Sequence, residues 1–581
     1  MKLLGLLCWA VLAAGKGVNS TYSITEKPLA ETGDAQISAA PELPRLFLDT
    51  AYAPPPGRVI NVSEGENLQS AINEAKPGDV IALQPGAKFI GNFTLTVKSS
   101  SGSNTPQDWI VIRTAIPDSC LPAPGTRITP QFERLLPKII SPNGGAAIGT
   151  VEGAHHYRLI GLEVGIAPEV DYNVGLVRLG DGSSQQNMLD VVPHDLILDR
   201  CYIHGNKLGG VARGVALNSA RSAVIDSYIS EIHGLGFDTQ AICGWNGPGP
   251  FKITNNYLEA AGENLMFGGS DPFIPNLVPA DIEVRGNYFY KPLRWKAGAP
   301  EYEGSHWTVK NLLELKLVSR ILIEGNILEN NWADAQTGFA LVFKSVNQDG
   351  TAPWSVTSDV TFINNIVRNS YAGINLLGRD DSQPGQLMRR LLIRNNLFEA
   401  IDGTRFGGLP GIFLQISNAP DVTVDHNTVL HTGHVISTYG ETSPGFVYTN
   451  NLSAHNEYGV KGDGHGTGND TLQAYFPEIV FSNNVLAGGS SIAYPTHNYF
   501  PSSLDDVRFI SGPEQIYRLA TISPYVNAGE DGKDLGCDFD ALGRSVSKII
   551  NGGLLNHNVI IPNTFCGRSP SVQMAERVIF K

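Results

Sequence analysis

Short apolar segments with an asparagine at their centre recur along most of the chain. They include Ile253-Thr-Asn-Asn-Tyr-Leu258, Val284-Arg-Gly-Asn-Tyr-Phe289, Ile323-Glu-Gly-Asn-Ile-Leu328 and Ile363-Asn-Asn-Ile-Val367. Ile393-Arg-Asn-Asn-Leu-Phe398, Val424-Asp-His-Asn-Thr-Val429, Tyr448-Thr-Asn-Asn-Leu452 and Phe481-Ser-Asn-Asn-Val485 continue the series. The shared asparagines are residues 256, 287, 326, 365, 396, 427, 451 and 484, in steps of 24 to 39 residues. Two earlier segments, Ile197–Ile203 and Val224–Ile229, keep the pattern with the asparagine replaced. A repeat of this length marks a solenoid, a propeller or an array. Each unit carries β-rich runs with Gly and Asn turns and almost no helical periodicity. A minimal coil of 24 residues with insertions of variable length predicts an all-β fold, a single-stranded parallel β-helix. Its hand is expected to be right, the general preference of parallel crossovers. Stacked asparagines would bond from coil to coil at one bend and tolerate the left-handed backbone such a bend needs.

Four regions are expected. Residues 1–19 read as a signal peptide, with Met1-Lys2 and then an apolar run from Leu3 to Ala14 that is too short to span a membrane. Residues 20–58 are a leader or strap, 59–500 the β-helix, and 501–581 a C-terminal strap or cap in which the Asn periodicity stops. Asn67 to Ala75 forms a short amphipathic helix with Leu68, Ala71 and Ile72 on one face, which would cover the open end of the solenoid. Val80–Leu83 reads as the first strand after it.

Leu68-Gln-Ser-Ala-Ile-Asn-Glu-Ala-Lys-Pro-Gly-Asp-Val-Ile-Ala-Leu-Gln-Pro-Gly-Ala-Lys-Phe-Ile-Gly91 resembles the N-terminal cap of the pectate-lyase-like β-helix superfamily. That group includes pectate lyases, chondroitinase B, alginate lyases and polygalacturonases. With the Asn coils, the resemblance covers about residues 59–490. It implies a secreted enzyme that degrades a polysaccharide, although fold alone does not fix the reaction.

Net charge is −14, and only 17% of residues are charged. This argues against a nucleic-acid or anionic-membrane partner, and a monomer is expected. Six cysteines, five after processing, are too few for a disulfide framework, with Cys537 and Cys566 a candidate pair. Asn61, Asn92 and Asn451 match glycosylation acceptors.

Aligning the strands that precede each bend gives a candidate site. Gly262–Gly268, Asn311–Lys316, Gly338–Lys344, Gly373–Arg379 and Gly411–Ser417 are set side by side. The inward column is then Leu265/Phe267, Leu313/Leu315, Leu341/Phe343, Leu376 and Leu414/Ile416. The outward column at the strand ends is Gly268, Lys316, Lys344, Arg379 and Ser417. Two positions earlier stand Met266, Glu314, Val342, Leu377 and Gln415. Three stacked cations lie within about 10 Å at the coil spacing. Each neighbouring pair costs on the order of 3 kcal/mol at an effective dielectric near 20. Glu314, Asp380 and Asp381 either neutralise them as a solvated network or share the stripe with an anionic ligand.

The second case suits β-elimination on a uronate polysaccharide, a carbon–oxygen lyase reaction. It needs a cation to neutralise the sugar carboxylate, a base, and an acid for the leaving oxygen. Lys316 or Lys344, its pKa lowered by a neighbouring cation, is the expected base, with Arg379 as a carboxylate clamp. Glu314 and Asp271 are candidate Ca²⁺ ligands. Asp271, Asp380, Asp381, Gln415, Trp245 and Trp307 are candidate substrate contacts. The loops at 269–281, 292–309 and 345–356 would wall a groove. A polygalacturonase-like hydrolase working with paired carboxylates and a non-catalytic carbohydrate-binding or adhesin solenoid are the alternatives. His155, His156 and His204 show no metal-ligand spacing and read as surface polar groups.

Overall fold

The computed structural model describes residues 40–99, 105–380, 382–510 and 517–551. The expected signal peptide, Asp381, Cys566 and the tail from residue 552 lie outside the described residues. Three long parallel sheets of 14, 13 and 12 strands run the length of the chain and make a right-handed parallel β-helix. In each coil one strand goes to each sheet. Thr357–Ile363 lies in the first, Ile366–Ser370 in the second and Ala372–Leu377 in the third. Alternating side chains of all three sheets point inward and form one continuous core. In the third sheet, Leu265/Phe267, Leu313/Leu315, Leu341/Phe343, Ile374/Leu376 and Leu414/Ile416 are all fully buried.

The Asn ladder occupies the bend between the first and second sheets. From Asn256 through Asn287, Asn326, Asn365, Asn396, Asn427, Asn451 and Asn484 to Asn498, each backbone N–H donates to the next Oδ1 at 2.8–3.0 Å. Each Nδ2 donates to the same oxygen at 2.9–3.2 Å. It also donates to a strand carbonyl, as Asn365 does to Ile323 and Ile363. At the N-terminal end, Ser227 and Cys201 take the rung position, linked by Ser227 N to Asn256 Oδ1 and Cys201 N to Ser227 Oγ. The ladder asparagine is not the left-handed residue, contrary to the sequence expectation. The residue before it is: Asn255, Gly286, Gly325, Asn364, Asn395, His426, Asn450 and Asn483 all have φ near +50 to +65°. A side chain aimed along the stack needs an ordinary backbone, so the chain reversal falls to its neighbour. Asn451 is fully buried in this ladder, which removes it as a glycosylation acceptor.

Both ends of the core are covered. The helix Leu68–Glu74, N-capped by Asn67, buries Leu68, Ala71 and Ile72 at the N-terminal end. The strand before it, Val59–Val62, pairs in parallel with Val80–Leu83, so the sheet begins one strand earlier than expected. At the far end, the helix Asn469–Tyr475 puts Leu472 and Tyr475 into the core. The 13-residue helix Phe539–Asn551 lies on the outer face of the second sheet through Leu542, Val546 and Ile549. Residues 42–50 cross the first sheet as a strap: Glu42 N donates to Asp359, Arg45 N to Asp281, and Arg158 to the Thr50 carbonyl. Cys537 is a buried free thiol, as are Cys201 and Cys243, whereas Cys120 is disulfide-bonded.

Replacing Asn365 by Ala would take away the acceptor of the Asn326 backbone N–H and the side-chain donor to the Ile323 carbonyl inside the stack. The expected cost is about 2–4 kcal/mol, read as a lower denaturant midpoint at unchanged slope.

Candidate functional site

The site lies on the outer face of the third sheet and is defined by strand register. Leu313 pairs with Leu341 and Glu314 with Val342, which sets Lys316 beside Lys344. Lys344 then pairs with Leu377, and Leu377 with Ser417. Arg379 is therefore not the third cation of a stack. It lies two residues beyond Leu377, past the strand end, and is exposed. Aligning Gly338 with Gly373 caused the error, because Phe339 pairs with Ala372. Gly338 is a left-handed turn residue (φ +86°), whereas Gly373 is already inside the strand. The position two residues earlier is Met266, Glu314, Val342, Asn375 and Gln415.

Two lysines thus stand side by side, each with a counter-charge. Lys316 Nζ is 3.2 Å from Glu314 Oε1, and Lys344 Nζ is 3.8 Å from Asp380 Oδ2. Burial alone would lower the pKa of Lys316, but Glu314 and then Glu263 outweigh it and hold the group above the ordinary lysine value. The expected lowered lysine is not found at Lys316, because the nearest charges are carboxylates. Bonds from Ser382 are the main cause that holds the Asp380 carboxyl below its usual range, with Lys344 and Lys316 adding to it.

The sequence reading missed the deeper half of the cluster. Glu263 sits at the start of its strand, paired with Gln240, whose Nε2 donates to Glu263 Oε2 at 2.8 Å. Lys310 Nζ lies 3.8 Å from Glu263 Oε1 and 2.5 Å from Asp238. Asn311 Nδ2 donates to Gln336 and Glu314. Glu263 and Glu314 are both fully buried. Burial first, and the charge of Glu314 second, push the Glu263 carboxyl up to about 8. Gln240 Oε1, Glu263 Oε1, Asn311 Oδ1 and Asn375 Oδ1 are buried acceptors with no hydrogen-bond donor among the described residues, and Glu314 Oε1 has the Lys316 ammonium 3.2 Å away. Buried oxygens without donors suit a hard cation. The one available signal was Gly262-Glu-Asn264 at the start of an aligned strand. Its partner Gln240 lies in a coil that has no ladder asparagine of its own to place it.

Two supports hold this cluster in place. Lys291 is fully buried and donates to the carbonyls of Ala260, Ala261 and Gly262 at 2.9, 2.9 and 2.6 Å and to Asn264 Oδ1 at 3.1 Å, tying down the corner that leads into Glu263. Gly268 has φ +108°, and a Cβ there would stand 2.6 Å from Lys316 Cβ, so the glycine makes room for the lysine.

Other expected contacts have different duties. Asp271 accepts from Gln348 N, Asp349 N, Thr351 N and Thr351 Oγ1 at 2.7–3.1 Å. It ties the 269–281 loop to the 345–356 loop, and its oxygens are spent there rather than on a metal. Trp307 is 5% exposed and stacks on His233 at 3.8 Å within a cluster with Trp295 and Trp332, so it packs under a loop. Trp245 is half-buried, bonds the Gly182 carbonyl and lies 5.1 Å from the Arg213 guanidinium. Gln415 follows Asn375 on the outer face. On the first sheet, His156, His194 and Asp195 bring ligand atoms within 4.8 Å of one another, and His156 is buried rather than a surface group. Arg221 already donates to both Asp195 and His194 at 2.7 Å, placing a fixed cation where a metal would sit.

In the folded chain Glu263 keeps its proton to higher pH than in the unfolded chain. This group by itself therefore weakens the folded state as pH rises from about pH 5 to about pH 8. Glu263→Gln removes that contribution, so the urea midpoint of the variant relative to the wild type is expected to rise across the window in chelator-treated protein.

No family model and no curated protein matches the chain. Among solved structures, it is similar to a mannuronic acid specific polysaccharide family 6 lyase from human gut microbiota at 12% identity and TM-score 0.41, over 76% of this chain and 82% of that one. It is similar to the PL6 family alginate lyase AlyGC at 12% identity and TM-score 0.42, over 82% of this chain but 58% of that one. The catalytic unit of a GH87 alpha-1,3-glucanase from Streptomyces thermodiastaticus strain HF3-3 matches at 12% identity and TM-score 0.46, over 78% and 71%.

Proposed function

We propose that the chain is a secreted polysaccharide lyase that cleaves a uronate-containing polymer by β-elimination on the outer face of the third sheet. One observation carries the reading. Lys316 and Lys344 stand side by side on neighbouring coils of the outer face, above buried acceptor oxygens of Gln240, Glu263 and Asn311. A uronate chain laid over these coils would meet cations for its carboxylates. Lys316, kept charged by Glu314, is suited to bind the carboxylate of the sugar that reacts. Lys344, held among the described residues by nothing closer than Asp380 at 3.8 Å, is assigned as the group that takes the proton beside that carboxylate. The electron pair left on that carbon forms a double bond conjugated with the carboxylate as the C4–oxygen bond breaks, and the leaving oxygen takes its proton back from Lys344. Arg379, exposed past the strand end, is placed to clamp a carboxylate on the next sugar.

The donor set also fits calcium. With Glu263 protonated, Asp238 and Glu314 balance the ammoniums of Lys310 and Lys316, and a bound Ca²⁺ would require Glu263 to release its proton. Glu263, Glu314, Asn311 and Gln240 would hold the ion, with Asp271 excluded by its loop bonds. When bound, Ca²⁺ would neutralise the substrate carboxylate.

A carboxyl held protonated beside an ionised one is also how a glycoside hydrolase divides acid and base. Here both side chains are fully buried, out of reach of a glycosidic oxygen, which favours the lyase.

The test is ultraviolet absorbance of the conjugated product, screened on pectate, alginate, chondroitin, heparan and glucuronan. Lys344→Ala is expected to abolish it, and Lys316→Ala to lower kcat/KM at least about a hundredfold. New reducing ends without that absorbance would establish the hydrolase instead. Calcium is expected to raise the melting midpoint of the wild type and not of Glu263→Gln, a readout independent of turnover.

A further inference from the structure

Beside the groove is a cavity of about 370 Å³ between the loop after the second-sheet strand Tyr288–Tyr290 and the short turn that follows Asp402. Lys296, His306, Trp332, Asp334, Arg405 and Phe406 line it. Asp334 is already occupied: it takes His306 Nε2 at 2.5 Å and the Val309 N–H at 2.9 Å. Lys296 and Arg405 make no ion pair among the described residues, and Asp334, paired with His306, is the carboxylate that shares the cavity with them. Beneath it Trp332 and Phe406 are buried and pack with Trp295, and the Arg405 guanidinium stands 4.9 Å from the Phe406 ring. The volume is on the scale of about one or two sugar rings.

The segment that contributes His306 to the cavity runs directly into Lys310 and Asn311 of the candidate site, and Asn311 bonds Gln336, two residues after Asp334. We propose that this cavity is a subsite for one acidic sugar of the same polymer, its carboxylate bound by Arg405 and Lys296. The inference rests on the reading of the groove as a uronate site and deepens it by assigning where a sugar outside the reacting position is held. Arginine and lysine recognise the carboxylate by charge, so a neutral sugar of the same shape lacks that contact.

The experiment is calorimetric binding of galacturonate and mannuronate tetramers to hexamers, with their carboxyl-reduced neutral counterparts as the charge control. Arg405→Ala and Lys296→Ala are each expected to weaken the acidic oligomers by about tenfold and to leave the neutral counterparts unchanged, with Arg405→Lys partly restoring affinity. Both side chains reach solvent, and circular dichroism of each variant checks that it folds. If the two alanine variants bind acidic oligomers as the wild type does while lyase product still forms, the subsite is overturned and the lyase stands. If the wild type binds no acidic oligomer and forms no product from any acidic polymer, both readings fall together.

Discussion

Every coil must turn a backbone corner in an interior without water, and the N–H and C=O groups at that corner need partners. The Asn ladder meets this demand by turning a local problem into a repeating one. Each side chain takes the amide of the previous coil and gives its own hydrogens to the next coil and to strand carbonyls. Because each rung needs a rung on either side, the corner is the most constrained part of a coil. The other two sides of the triangle are freer to carry insertions, since pairing there resumes after a loop of any length. This explains how coils of 24 and 39 residues share one stack.

The functional face is two turns away from that constraint, on the third sheet. Loops enter and leave there, and side chains on its outer face contribute nothing to the core. The charge arrangement shows what this freedom is used for. Two fully buried carboxyl groups, Glu263 and Glu314, are set on neighbouring strands and answered by lysines, Lys310 at 3.8 Å from Glu263 and Lys316 at 3.2 Å from Glu314. Such an arrangement is costly unless something shares the charge. The surrounding structure supports it with a buried lysine that ties three consecutive carbonyls and with a glycine that admits the Lys316 stem.

Legibility differed along the coil. The repeat, the ladder and the N-terminal capping helix follow from local patterns, because each rung is marked by the same residue type in the same apolar frame. Lys316, Glu314 and Lys344 were also visible, since their strands continue into a ladder segment that sets the alignment. Arg379 was misplaced by two residues because a glycine that ends a turn and a glycine inside a strand look the same in sequence. Trp307 and Asp271 looked available for substrate, and their burial and hydrogen bonds emerge only when loops far apart in sequence meet.

The amino-acid sequence by itself determined the solenoid, its period and the identity of the ladder, because those depend on interactions that repeat at every coil and leave a periodic trace. Only the tertiary structure decided which outward residues share a height and a column. Insertions of unequal length separate the third-sheet strands from the ladder, so their register is set by pairing and packing across coils. The same reason kept Glu263, Gln240 and Lys310 hidden: their proximity arises between coils 23 to 47 residues apart, and no local pattern encodes it.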